Sequence, residues 1–225
     1  MKEWFKRLDI FSPPAIRLLF WLAGAMFFLG LFAKLTKDVF EHDDVEKIDK
    51  AILLLAEKIR VTSFNGAAVD LTALGSPTVI TIVSLIGLLI LWLRKDRSGV
   101  VNLFVASVGA GFWTFTLKHL IARERPQIIP RLVEVSGLSY PSGHSLAAAT
   151  VYLCLTFLAC RYFESVRSRL ILILASMCLI GAISLSRVYL GVHYPSDVAS
   201  GVFLGASWAL FLTAYFSSRY WRKVD

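Results

Sequence analysis

The residues best suited to chemistry fall in three short clusters. In Ser186-Arg187-Val188-Tyr189-Leu190-Gly191-Val192-His193-Tyr194-Pro195-Ser196-Asp197 a fixed cation, an imidazole and a carboxylate stand close together between apolar runs. His193 and Asp197 are four apart and can meet across one helical turn. The carboxylate can then take the proton-bearing ring nitrogen and leave the other nitrogen as a lone pair. That is the relation of a nucleophile to its orienting group, with the imidazole itself as attacking atom. Lys118 and Arg125, seven apart, sit about two turns apart if their helix continues to the Pro126 that would end it. Arg offers a planar fork and Lys a point charge, and the two together suit a group with several anionic oxygens. Pro141-Ser142-Gly143-His144 reads as a helix start. Ser142 can cap, Gly143 admits a ligand to the backbone, and the unpaired N–H groups attract an anion beside His144.

Each cluster also has a plainer reading: a structural His–Asp hydrogen bond or pH switch, a capped helix whose His touches a headgroup, and cations that snorkel. Arg123 and Arg131 are assigned to that last class. His119 and His42 have no partner in the sequence. The acids Glu41, Asp43 and Asp44 read as a solvated helix N-terminus.

The elements that must position these groups are apolar. Of the 225 residues, 56% are hydrophobic and mean hydropathy is +0.65, which puts an integral membrane protein ahead of a soluble domain. Spans are expected over residues 18–35, 77–93, 100–121, 142–160, 169–186 and 196–216, near the length of about 20 residues that crosses a bilayer. Gly109 and Gly111 offer close helix contact in the third. Between the first two spans, Val45, Ile48, Ala51, Ile52, Leu55 and Ile59 recur at helical spacing beside Lys47, Lys50 and Lys58. They predict an amphipathic helix over about 43–60, on the bilayer surface or against the bundle. The sequence thus predicts an all-α fold: a membrane bundle of six transmembrane helices plus this short amphipathic helix, forming one domain over 1–225. Cys154, Cys160 and Cys178 lie in apolar runs and read as small buried hydrophobes.

The net charge of +8 could suit nucleic acid, but its distribution favours a membrane. Lys2, Lys6 and Arg7 precede the first run as in a retained signal anchor. With the N-terminus in the cytoplasm, both tails and the 94–97 and 161–169 turns lie inside, the positive-inside pattern. Alternating spans then place all three clusters on the opposite face.

Lys118-x6-Arg125-Pro126, Pro141-Ser142-Gly143-His144 and Ser186-Arg187-x5-His193-x3-Asp197 resemble, at every motif position, the three signatures of the type 2 phosphatidic acid phosphatase superfamily. The resemblance covers residues 118–197; the first third of the chain carries no motif. It implies a bacterial-type membrane lipid phosphatase, similar to phosphatidylglycerophosphate and undecaprenyl diphosphate phosphatases. Its substrate would be undecaprenyl diphosphate, phosphatidic acid, phosphatidylglycerophosphate or a lipid A phosphate. It further implies that His193 attacks phosphorus and forms a phosphohistidine, that Asp197 orients His193, and that His144 protonates the leaving oxygen and then activates water. Lys118, Arg125, Ser142, Gly143 and Arg187 would hold the phosphate oxygens. No metal and no cofactor are implied, and nucleic acid is not a partner. The expected location is the bacterial inner membrane, with both termini cytoplasmic and the site on the periplasmic face. A lipid phosphotransferase would use the same intermediate. A non-enzymatic transporter would instead call for ionisable groups at mid-span or repeated halves, and the clusters sit at one rim.

Overall fold

The computed structural model describes residues 14–41 and 44–221. Lys2, Lys6, Arg7, His42, Asp43 and the side chains of residues 217–225 lie outside the described part. Among the described residues the chain forms eight helices and no strand: α1 Pro14–Glu41, α2 Asp44–Lys58, α3 Thr62–Ala73, α4 Pro77–Leu93, α5 Arg97–Ile121, α6 Gly143–Cys160, α7 Val166–Tyr189 and α8 Pro195–Trp221. Starts follow local chemistry. Ser76 accepts from the Val79 amide (3.3 Å) with Pro77 in the first turn, and Asp96 accepts from the Gly99 amide (2.8 Å), each satisfying an orphan N–H.

α1, α5, α6, α7 and α8 are long and apolar enough to cross a membrane, and α3 with α4, bent by 46° between Ala73 and Pro77, counts as a sixth where the pair is taken as one broken span. Their outer surfaces carry large apolar side chains such as Phe20, Leu85, Phe104, Phe115 and Leu185. This inversion of soluble-protein surfaces is what a lipid solvent requires. α8 runs through the centre, packed on α1 and α6. The α6–α8 approach depends on two glycines of α8 spaced as G-x-x-x-G. A Cβ at Gly201 would stand 2.6 Å from the Ser142 carbonyl oxygen, and one at Gly205 would stand 2.5 Å from that of Leu146. Gly109 likewise faces the Trp208 ring, whereas Gly111 meets nothing within 4 Å. Gly205→Leu should therefore part α6 from α8 and cost at least about 1–3 kcal/mol, while Gly111→Ala, inside α5 with nothing near an added Cβ, should stabilise by about 0.5–1 kcal/mol; thermal unfolding in detergent reads both.

Two expectations need correction, and the placement of the amphipathic helix, left open between surface and bundle, is narrowed. The interval between the first two long helices holds α3 as well as the amphipathic α2, because Thr62–Ala73 folds onto α7 in spite of its polar composition. α2 is amphipathic, but its buried face is Asp49, Leu53 and Ala56, packed on Ile129, Val188 and Val198. The stripe Ile48, Ile52, Leu55 and Ile59 is exposed, so it faces away from the bundle. Finally, Lys118 and Arg125 do not share a helix. α5 ends at Ile121 because Ala122 adopts a left-handed conformation (φ 50°) and its amide closes on the Lys118 carbonyl at 2.9 Å, leaving Arg125 in the irregular segment that follows.

Candidate active site

That irregular segment lets Arg125 reach from the end of α5 to the residues before α8. Its Nε donates to the Gly137 carbonyl (2.9 Å), Nη2 to that of Ser136 (3.2 Å) and Nη1 to that of Val192 (2.8 Å). Arg125 Nη1 also lies 3.2 Å from His193 Nε2. A guanidinium has only donors, so Nε2 must be the accepting, unprotonated nitrogen, and the ring proton belongs on Nδ1. The geometry fixes the tautomer.

The other ring nitrogen faces Asp197, though less directly than the spacing predicts. His193 Nδ1 is 3.5 Å from Asp197 Oδ2. Ser139 stands between them, its Oγ 3.2 Å from Nδ1 and donating to Oδ2 at 2.5 Å. Asp197 is fully buried and every neighbour of its carboxylate donates: Ser139, the Tyr194 amide at 2.9 Å and Arg123 Nη1 at 2.6 Å. The Tyr194 contact is half of a capping box, with Tyr194 before Pro195 at the helix start and Asp197 in the third helical position. One carboxylate thus starts α8 and faces the imidazole.

Burial holds His193 well below the ordinary imidazole range, at about 4; Arg125 and Arg187 push it the same way, against the pull of Asp197. The ring is therefore neutral at physiological pH, and it loses its lone pair only as pH falls through about 4. Burial likewise lowers Arg125, and the neighbouring Arg131 adds to it.

Arg187, near the end of α7, is 4% exposed. Its Nη1 donates to Thr72 Oγ1 of α3 at 2.7 Å, and its Nε is buried without a partner. A buried cation with an unanswered donor is costly unless an anion completes it. Lys118 Nζ donates to the Leu138 carbonyl. Ser142 begins α6, accepting from Ser145 Oγ at 3.1 Å and giving its own amide to the Asp197 carbonyl at 2.9 Å. Gly143 packs on Thr114, where a Cβ would sit 2.9 Å from its methyl. His144 lies within electrostatic reach of Arg187, His193, Arg125 and Lys118, and the α3–α4 bend at Gly75 closes over it, with a Cβ there 3.3 Å from the His144 Cβ.

All eight predicted site residues thus gather at one end of the bundle. The Arg94–Arg97 and Arg161–Arg169 turns occupy the other, where Asp96 meets Arg161 (3.6 Å) and Tyr162 (3.3 Å). Among the described residues no group of three or more His, Cys, Asp or Glu side chains could hold a metal ion. The arrangement is a neutral imidazole within a cradle of three cations, a geometry suited to a tetrahedral oxyanion.

Several contributors escaped the sequence reading. Arg123 is not a snorkelling cation: it bridges Asp197 and Asp49. Arg60 ties the loops together, donating to the carbonyls of Tyr189 (2.9 Å) and Pro130 (2.8 Å). Gly191 makes room for it, with φ 75° and an absent Cβ that would lie 2.8 Å from Arg60 Nη2. Arg131 pins its own loop at the Pro126 carbonyl, and His119 is exposed on Phe115. Glu41 ends α1, paired with Lys37 (3.4 Å), while Asp44 does begin α2.

Residues 99–221 match the PAP2 superfamily. Phosphatidylglycerophosphatase B of Bacillus subtilis is 33% identical over 180 residues, which cover 79% of this chain and 87% of that protein. The undecaprenyl-diphosphatase of Sulfolobus acidocaldarius is 30% identical over 169 residues, 71% of this chain and 73% of that protein. A crystal structure of a transmembrane PAP2 type phosphatidylglycerolphosphate phosphatase from Bacillus subtilis superposes with a TM-score of 0.75 at 27% identity, covering 89% of this chain and 97% of that one.

Proposed function

The chain belongs to the PAP2 superfamily, and from that premise we propose that this membrane lipid phosphatase works through a phosphohistidine, without a metal, at the extracytoplasmic face of a bacterial inner membrane. The observation that carries the reading is the contact of Arg125 Nη1 with His193 Nε2 at 3.2 Å, which puts a cation against the lone pair of a neutral, buried nucleophile. His193 Nε2 attacks phosphorus, the bond to the leaving oxygen breaks, and His144 gives that oxygen its proton. His144 then takes a proton from water, which attacks the phosphohistidine, releasing inorganic phosphate and restoring Nε2. Asp197 holds the Nδ1 proton in place and stabilises the charge the ring acquires. Lys118, Arg125, Arg187, Ser142 and the Gly143 amide neutralise the equatorial oxygens, where most of the stabilisation of phosphoryl transfer lies.

The substrate is a lipid whose phosphate sits at headgroup depth: a phosphatidylglycerophosphate, phosphatidic acid, lipid A phosphate or undecaprenyl diphosphate. The relatives' names support that class, and the basic 94–97 and 161–169 turns support a cytoplasmic position for the opposite end. The test is purified protein in detergent with labelled mono- and diphosphate lipids, quenched during turnover. An acid-labile, base-stable phosphoryl group on His193 and unchanged rates in chelator are expected. Label on another residue, or activity lost to chelator and restored by a divalent cation, overturns the mechanism.

A further inference from the structure

α2 reaches the catalytic pair through one ionic chain whose two carboxylates are buried and whose arginine is partly so. Asp49 is 1% exposed, held inward by Leu53 and Ala56 on the same face. Its carboxylate accepts from the Ser196 amide (2.9 Å) and Ser196 Oγ (2.5 Å), capping the first turn of α8 from outside that helix. It also accepts from Arg123 Nη2 at 2.8 Å. Arg123 spends its other nitrogen, Nη1, on Asp197 Oδ1 (2.6 Å) and Ser196 Oγ (2.7 Å), and its guanidinium lies 4.0 Å over the Tyr194 ring. A planar fork that joins two carboxylates fixes both in distance and angle, which an ammonium would not do.

We propose that Asp49 and Arg123 are positioning residues: the chain Asp49–Arg123–Asp197 sets the carboxylate against His193 and makes the membrane-surface helix α2 part of the active site. The inference rests on His193 being the nucleophile. Asp197 makes its other contacts to loop groups, the Ser139 hydroxyl and the Tyr194 amide. Without the fork its carboxylate can turn, and a misplacement of about 1 Å in a reacting group costs on the order of 100-fold.

The charged and titratable groups facing His193 are Asp197 on α8, Arg125 in the loop, Arg187 on α7 and His144 on α6, with Arg123 and Asp49 behind Asp197. Neutralising Asp49 removes negative charge, so His193 protonates at lower pH and the acid limb of the rate profile moves down. Removing the Arg123 cation leaves two carboxylates uncompensated, and the limb moves up. Substrate ionisation is common to all variants and cancels in these shifts.

The experiment measures kcat, KM and pH profiles for the full-length protein in detergent, with phosphatidic acid and undecaprenyl diphosphate as the probes. Asp49→Asn and Arg123→Gln should each lower kcat on the order of 100-fold with KM within about threefold, and move the acid limb in opposite directions. The double variant, which restores charge balance, should return the limb towards its original position. Arg123→Lys keeps the charge and most of the packing should the others fail to fold, and should lower kcat with the limb unmoved. A folded Asp49→Asn with kcat within about twofold of the parent, or limbs moving the same way, overturns the proposal. Turnover surviving in His193→Ala would instead remove the nucleophile on which it rests.

Discussion

His193→Ala should lose about 10⁴- to 10⁶-fold in kcat, the range in which removing a nucleophile from an otherwise intact site falls. On the proposed mechanism, what would remain is water attacking a phosphate held by Lys118, Arg125 and Arg187. Those cations do not depend on the imidazole: Arg125 keeps the Gly137, Ser136 and Val192 carbonyls and Arg187 keeps Thr72. Inhibition by orthovanadate, an oxyanion of the same shape, should therefore weaken far less than turnover, and this separates lost chemistry from lost folding. No phosphoenzyme should be trapped. In His144→Ala, by contrast, an aryl phosphate whose leaving group needs no proton should still load His193, and the phosphohistidine should accumulate because the water-activating group is gone. Turnover within about tenfold of the parent in His193→Ala would end this account of the reaction.

How much of this was legible in the sequence depends on where each partner lies. The long apolar runs gave the bundle, since a bilayer admits few other ways to satisfy the backbone. α3 was missed because Thr62, Asn65, Gly66 and Asp70 break the apolar pattern in a segment that is helical through packing on α7 and continuity with α4. The gathering of Lys118, Arg125, His144, Arg187 and His193 at one end was readable because such residue types and spacings are unusual at span ends. Its supports were not: Asp49, Thr72, Ser139 and Arg123 are ordinary polar residues. Thr72 meets Arg187 across 115 positions and Asp49 meets Ser196 across 147. One local signal did exist. Asp49, Leu53 and Ala56 share a helix face, and an acid in line with small and apolar residues is a candidate for burial. The stripe Ile48, Ile52, Leu55 and Ile59 is the stronger pattern, and an amphipathic pattern does not say which of two apolar faces meets the bundle. The first third of the chain, which bears no motif, thus supplies a cap for α8 and a partner for Arg187.

Asp197→Asn tests both the fold and the chemistry, and the two can be ranked. The amide keeps the shape of the carboxylate but carries a donor on one side, and the neighbours on both sides donate: Arg123 on Oδ1, and Ser139 with the Tyr194 amide on Oδ2. Either orientation sets N–H against N–H, because neither a guanidinium nor a backbone amide can turn to accept. A buried donor left unmet costs about 1–3 kcal/mol, and breaking a buried ion pair costs about 3–5 kcal/mol. Asp49 still holds Arg123, so the smaller figure applies, and thermal unfolding should fall by several degrees without loss of the fold. The catalytic cost is larger. On the proposed mechanism, His193 would lose the charge that, with the Arg125 contact, favours its proton on Nδ1 and that stabilises the cationic ring of a phosphohistidine. A carboxylate-to-amide change behind a catalytic histidine is worth about 10⁴-fold in kcat. Vanadate inhibition should persist, as it does not depend on this carboxylate. If the Asn variant retains more than about a tenth of the parent kcat while its unfolding temperature drops, Asp197 serves the start of α8 and not the chemistry of His193.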